Sequence, residues 1–232
     1  AVAELLASGE LWCVVQPIIA VQLSALNLNA ETLTSDRDRG LLQSVGRTLR
    51  KLHSMNQSDQ FGSVHEGTGG PRRRWLTFNG YVASQLEEMA EHVRTLGFED
   101  SEIREVSEVI GSLRQELASF HPRNPATLIH GKLGTEHLWI DPDSMEITGI
   151  TGFEYVAFLP PEYDWAWLLW VEGWGKDDLI AKELYRGYGA ARTMDVQRRE
   201  RFYRRFVALQ ALHGKLGSAP CDRAQLIELC SA

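Results

Sequence analysis

Cysteine is scarce in this sequence. Cys13, Cys221 and Cys230 are the three in 232 residues, an odd number with no C-x-x-C pair. That argues against a disulfide framework, and the expected compartment is reducing and intracellular, the cytoplasm first. Long apolar runs are also missing. The longest, Leu11 to Leu26, is interrupted by Gln16, Pro17 and Gln22, so nothing approaches the stretch of about 18 apolar residues that reads as a bilayer span. Positive charge is in deficit, with 24 Lys+Arg against 31 Asp+Glu and a net charge of −7, which removes nucleic acid as a bulk electrostatic partner. The 20 glycines and 8 prolines follow no period, so collagen-like and low-complexity architectures are excluded. The first residues, Ala1 to Glu10, carry no basic n-region and too short an apolar core for a signal peptide, and they read as the interior of a larger chain. What is present is the profile of a globular protein, 44% hydrophobic and 24% charged, of one large or two small domains.

The pattern along the chain is mixed α+β. Residues 1–8 and Leu11–Gln16, separated by Ser8-Gly9-Glu10, read as a hairpin bounded by Pro17. Leu41, Leu42, Val45, Leu49 and Leu52 form one stripe of a helix over 38–55, with Ser35-Asp36 as its N-terminal cap. Residues 56–73, polar and then rich in glycine (Gly67, Gly69, Gly70), read as a solvated connection. A phosphate cradle there would need a terminal Gly-Lys-Ser/Thr and a preceding strand. Helices are predicted over 75–96 and 101–119. After His121-Pro122 the period shortens: 127–130, 137–140 and 146–150 read as strands, the last two a hairpin turned by Asp141-Pro142-Asp143-Ser144. Residues 163–170 read as buried and aromatic, and two further helices are predicted near 177–187 and 195–216.

The chemistry-bearing segment is Leu128-Ile129-His130-Gly131-Lys132-Leu133-Gly134-Thr135-Glu136-His137, followed by Gly149-Ile150-Thr151-Gly152-Phe153-Glu154 and Pro161-Glu162-Tyr163-Asp164-Trp165-Ala166. It resembles the aminoglycoside phosphotransferase family, small-molecule kinases with the protein-kinase fold, whose catalytic segment reads His-Gly-Asp-x-x-x-x-Asn and then Gly-x-Ile-Asp-Trp/Phe-Glu. Val45 to His53 is similar to the family's Leu-Gly-x-x-Leu-x-x-Leu-His helix, and Val14 to Ile18 is similar to its hinge between lobes. The resemblance implies the mostly helical C-terminal lobe of that fold over 27–232. Residues 1–26 are then a remnant of the N-terminal strands and hinge, and a small β-hairpin carries the former catalytic loop. The upstream strands, phosphate-covering loop and ATP-contacting lysine have no counterpart here. A missing lobe or a partner protein is therefore expected over the hinge strands, whose open edge is otherwise a liability.

The resemblance also places three changes. The catalytic Asp falls on Lys132, the metal-holding Asn on His137 and the metal-holding Asp on Gly152. An ammonium does not take a proton, imidazole is a poor match for Mg²⁺, which prefers octahedral oxygen donors, and glycine supplies no ligand. The expected function is a catalytically degenerate, pseudokinase-type domain serving as a structural or interaction module, with no cofactor required and no membrane or nucleic-acid partner. The alternative is an active ATP- and Mg²⁺-dependent phosphotransferase on a small hydroxylated acceptor, with ligands rearranged among Glu136, Asp141, Asp143 and Glu154. Of these Glu154 is the candidate metal ligand, and Asp141 and Asp143 suit the turn instead. Lys132 also suits an anion as a point charge, and backbone near Gln16 and Ile18 is the candidate adenine edge.

Other residues carry structural expectations. His130 braces the loop, and Asp164, near a helix start, accepts backbone N–H groups. His130 and His137 without a thiolate do not make a zinc set, and no metal site is expected. Trp165, Trp167, Trp170 and Trp174 read as core or partner surface rather than a ligand pocket. Arg198, Arg199, Arg201, Arg204 and Arg205 read as the solvated side of an amphipathic helix.

Overall fold

A computed structural model describes residues 5–9, 12–15, 20–26, 35–64, 75–95, 98–120, 126–171, 173–174, 178–213 and 223–231. The N-terminal hairpin pairs β1 (Leu5–Gly9) with β2 (Trp12–Val15), Gly9 opposite Trp12. The hinge candidates Gln16 and Ile18 lie outside the described residues. β3 (Val21–Gln22) follows, and then α1 (Asp36–Met55) begins at a capping box: Ser35 Oγ accepts from the Asp38 N–H, and the Ser35 N–H donates to Asp38 Oδ2 at 2.9 Å. Reciprocal pairing of this kind satisfies two of the donors a helix start leaves open. The α1 stripe is buried throughout, each side chain worth about 1.5–3 kcal/mol as an upper bound.

Residues 57–63 correct the expectation of a solvated loop. β4 (Gln57–Ser58) and β5 (Gly62–Ser63) are the edges of a four-stranded antiparallel sheet in the order β4-β6-β9-β5, whose centre is β6 (Ala126–Ile129) and β9 (Ala157–Leu159). Between these strands come α2 (Phe78–His92), capped by Thr77, and α3 (Asp100–Leu117). The predicted hairpin is present as β7 (Leu138–Ile140) and β8 (Ile147–Ile150), extended to three strands by β3. Asp141 Oδ1 accepts from the Asp143 N–H at 2.9 Å and closes the turn, which is the structural role read for this residue. Ser44 of α1 receives the Ile147 N–H at 2.8 Å and donates to Glu146 at 2.7 Å, tying the hairpin to the helix.

The helical remainder is α4 (Glu162–Ala166), continued by a π-helical turn over Trp167–Val171, then α5 (Asp178–Tyr188), α6 (Met194–Leu212) and α7 (Arg223–Ser231), which had no sequence expectation. Two apolar clusters result. One gathers α2, α3, α6 and α7, and the other gathers α1, α5 and the β7–β8 hairpin. Residues 163–171 contribute to both: Tyr163 and Trp167 face the first, Trp165, Leu168 and Leu169 the second. Trp165, Trp167 and Trp174 are core and Trp170 packs partly buried against it, with Trp165 stacked on Tyr185 at 4.8 Å. Helices α1 and α5 meet through two glycines: a Cβ on Gly46 would sit 2.1 Å from the Leu184 carbonyl, and one on Gly187 would sit 2.1 Å from that of Gln43. Only hydrogen fits at either crossing point.

The basic run of α6 departs from expectation. Arg198 and Arg201 are exposed, but Arg199 and Arg204 are buried and Arg205 is partly so. Arg199 pairs with Glu162 at 3.1 Å and with Asp195, Arg205 pairs with Glu116, and Arg204 lies 4.7 Å over the Trp170 ring. Their partners lie on other elements or within one helical turn, so the guanidinium groups knit the fold together rather than face solvent.

Candidate functional site

The segment after β6 is held from below by Asp164, in the first turn of α4 and fully buried. Its Oδ2 accepts from the His130 N–H at 2.8 Å and from His53 Nε2 at 3.0 Å; its Oδ1 accepts from the Gly131 N–H at 2.8 Å. Burial alone would raise this carboxyl's pKa. The His53 hydrogen bond and charge, aided by His130, outweigh that and hold it below the usual value. The network continues outward, with the Tyr188 hydroxyl hydrogen-bonded to His53 Nδ1 at 3.0 Å. His130 Nε2 donates to the Thr151 carbonyl at 2.8 Å, leaving Nδ1 to accept the Lys132 N–H at 3.3 Å. One carboxylate and two imidazoles thus fix the backbone of residues 130–132 against β8. The N–H groups that Asp164 accepts belong to this loop, not to its own helix. Sequence reasoning assigned no role to His53, Tyr188 or Thr151. The Leu-x-x-Leu-His ending of α1 was the available signal for the first, and the other two carried none.

On the open side of this brace, Lys132, His130, His137 and Gly152 come together. The Lys132 ammonium lies 5.5 Å from the Tyr155 ring centroid and 5.9 Å from that of Trp167, within the range of cation–π attraction. The His137 ring lies 5.0 Å from the His130 ring, and its Nε2 is 3.3 Å from Glu136 Oε1. Burial lowers the His137 pKa, with His130 and Lys132 acting the same way against Glu136 and Glu154. Gly152 sits at φ +82, and a Cβ there would meet His137 Nδ1 at 2.2 Å. The imidazole therefore fills the space into which a side chain at 152 would start. The candidate compensating residue Glu154 is exposed, and Asp143 is exposed on the hairpin turn.

A model of the phosphotransferase enzyme family matches residues 2–203. The chain belongs to this family. Among solved structures, a thermostable mutant of the aminoglycoside phosphotransferase APH(4)-Ia in its apo form is similar at 18% identity, with a TM-score of 0.69 over 99% of this chain and 75% of that one. A choline/ethanolamine kinase family protein from Mesorhizobium loti is similar at 19% identity and TM-score 0.66, over 99% and 72% of the two chains. The GDP and kanamycin complex of APH(2")-IIia follows at 16% identity and TM-score 0.58, over 99% and 73%. None of the curated proteins compared matches the sequence. These identities support the fold alone: a mostly helical α+β arrangement with small antiparallel sheets, corresponding to the C-terminal-lobe region of phosphotransferase-family kinases. Among the described residues, no helix of this phosphotransferase-family chain is long and apolar enough to cross a membrane.

Proposed function

We propose that this chain keeps the phosphotransferase fold as a structural or interaction module of a larger protein or complex and does not transfer phosphate by the family's carboxylate-and-metal route. The observation that carries this reading is the coupled pair His137 and Gly152: the ring occupies the space over residue 152 that a carboxylate side chain would need. The donor set does not fit Mg²⁺, which demands oxygen ligands in near-octahedral geometry. Here the residues offer an ammonium, an imidazole already engaged with Glu136, and a position without a side chain. A general base is worth about 10²–10⁴-fold and a metal several kcal/mol more, so losing both leaves little catalysis by that route.

The test is phosphoryl transfer from MgATP to hygromycin B, kanamycin and choline, chosen because the similar structures are of enzymes named for such acceptors or solved with them. No turnover above buffer is expected, from the wild type or from Lys132→Asp. Turnover that disappears in Glu154→Gln would favour the active phosphotransferase with rearranged ligands. A thermal shift with ATP that persists in excess chelator would instead favour metal-free nucleotide or anion binding without turnover.

A further inference from the structure

The ends of α2 and α6 bring together three side chains with metal-ligating atoms, away from the Lys132 site. Glu88 and His92 stand four residues apart on α2, a spacing that stacks them on one face of the helix. His213 caps the C-terminus of α6, its N–H donating to the Leu209 carbonyl at 3.0 Å. One ligand atom from each residue lies within 4.8 Å of the other two, and the two imidazole rings are 5.7 Å apart at 56°. His92 is exposed, Glu88 and His213 are partly buried, and both ring nitrogens of His213 are shielded from solvent. Among the described residues this is the one such group of three.

We infer that Glu88, His92 and His213 bind a zinc-type transition-metal dication that staples the C-terminal end of α2 to that of α6. The donor chemistry selects the class: imidazole nitrogens suit Zn²⁺ and its neighbours, whereas Mg²⁺ and Ca²⁺ take oxygen ligands. With bonds of about 2.0–2.2 Å, tetrahedral donors stand about 3.3–3.6 Å apart, so atoms now within 4.8 Å of one another approach by up to about 1.5 Å. Rotation of the exposed His92 and of the long Glu88 side chain supplies that movement. Water takes the fourth position on the exposed side. Two further features favour a cation here. Both histidines sit at helix C-termini, where the macrodipole carries partial negative charge. The α2 end is also held, since Thr95 Oγ1 donates to the His92 carbonyl at 2.7 Å. The sequence expectation of no metal site missed this group because its third member arrives a hundred residues or more after the first two.

The purified full chain, stripped with chelator, is titrated with ZnCl₂ and followed by thermal unfolding. At free zinc about 100 times Kd, Tm is expected to rise by about 5–10 °C. Calorimetry should give one zinc per chain, and Co²⁺ should give the visible absorption of a tetrahedral site. His92→Gln, at an exposed position that leaves the fold intact, and Glu88→Gln are each expected to weaken zinc binding at least about tenfold. No rise in Tm, or a rise that His92→Gln retains in full, overturns the assignment.

Discussion

The Asp164 brace under residues 130–132 and the group of Lys132, His137 and Gly152 above it, the floor, are neighbours built from different kinds of contact. Around Asp164 every polar group is matched: two backbone N–H groups and an imidazole meet one carboxylate in a fully buried setting, and Tyr188 completes the chain. Around Lys132 the contacts are softer, a charge over two rings and two imidazoles side by side, and Lys132, His137 and Tyr155 are partly exposed. The brace serves the fold, because removing any member strands a buried partner, whereas the Lys132 ammonium can be lost without stranding a buried polar group. Changes at the two levels should therefore differ in cost.

The largest effect should come from the brace. Asp164→Ala leaves His53 and two buried N–H groups without an acceptor and is expected to destabilise by about 3–5 kcal/mol in urea unfolding. A loss under about 1 kcal/mol would erase the distinction between the two regions. On the floor, Gly152→Asp alone puts a Cβ against the His137 ring at positive φ, although Asp tolerates that backbone region better than most residues. His137→Asn should relieve the clash, so a double-mutant cycle is expected to give a favourable coupling of about 1–2 kcal/mol. Additive single effects would break the claim that the two changes belong together. Lys132→Met keeps an unbranched apolar stem beside Tyr155 and Trp167 and removes only the charge. A change within about 1 kcal/mol is expected, in either direction.

How much of this was legible in the sequence depended on the range of the interaction. The α1 stripe, its Ser35 cap and the Asp141 turn are local patterns, and they stand in the structure where periodicity and turn chemistry put them. β4 and β5 are two residues each, too short to show an alternation, and they exist because β6 and β9 offer edges from far along the chain. Arg199 reads as a surface cation until Glu162 is brought beneath it. The same holds at the site. The motif spacing placed Lys132, His137 and Gly152, but that the imidazole fills the space over the glycine is a tertiary fact with no signature in the spacing.

Acid titration separates the two regions with the smallest perturbation. The His137 pKa is lowered in the folded chain, chiefly by burial, from an unfolded value near 6.5. As pH falls below that value the unfolded state takes up the proton first, so stability is full above about pH 6.5 and declines from there down to the folded pKa. Asp164 behaves in the opposite chemical sense with the same direction of loss. Its folded pKa lies below the unfolded value near 3.9, so its contribution is complete above that value and disappears as pH falls through the folded pKa. The His137 contribution is thus lost in milder acid than the Asp164 contribution. Urea midpoints measured from pH 7 to pH 3 should show both declines, and His137→Asn should flatten the first while leaving the second. If the mildly acidic decline survives that substitution, another histidine carries it, and the contrast between floor and brace no longer rests on the cleft.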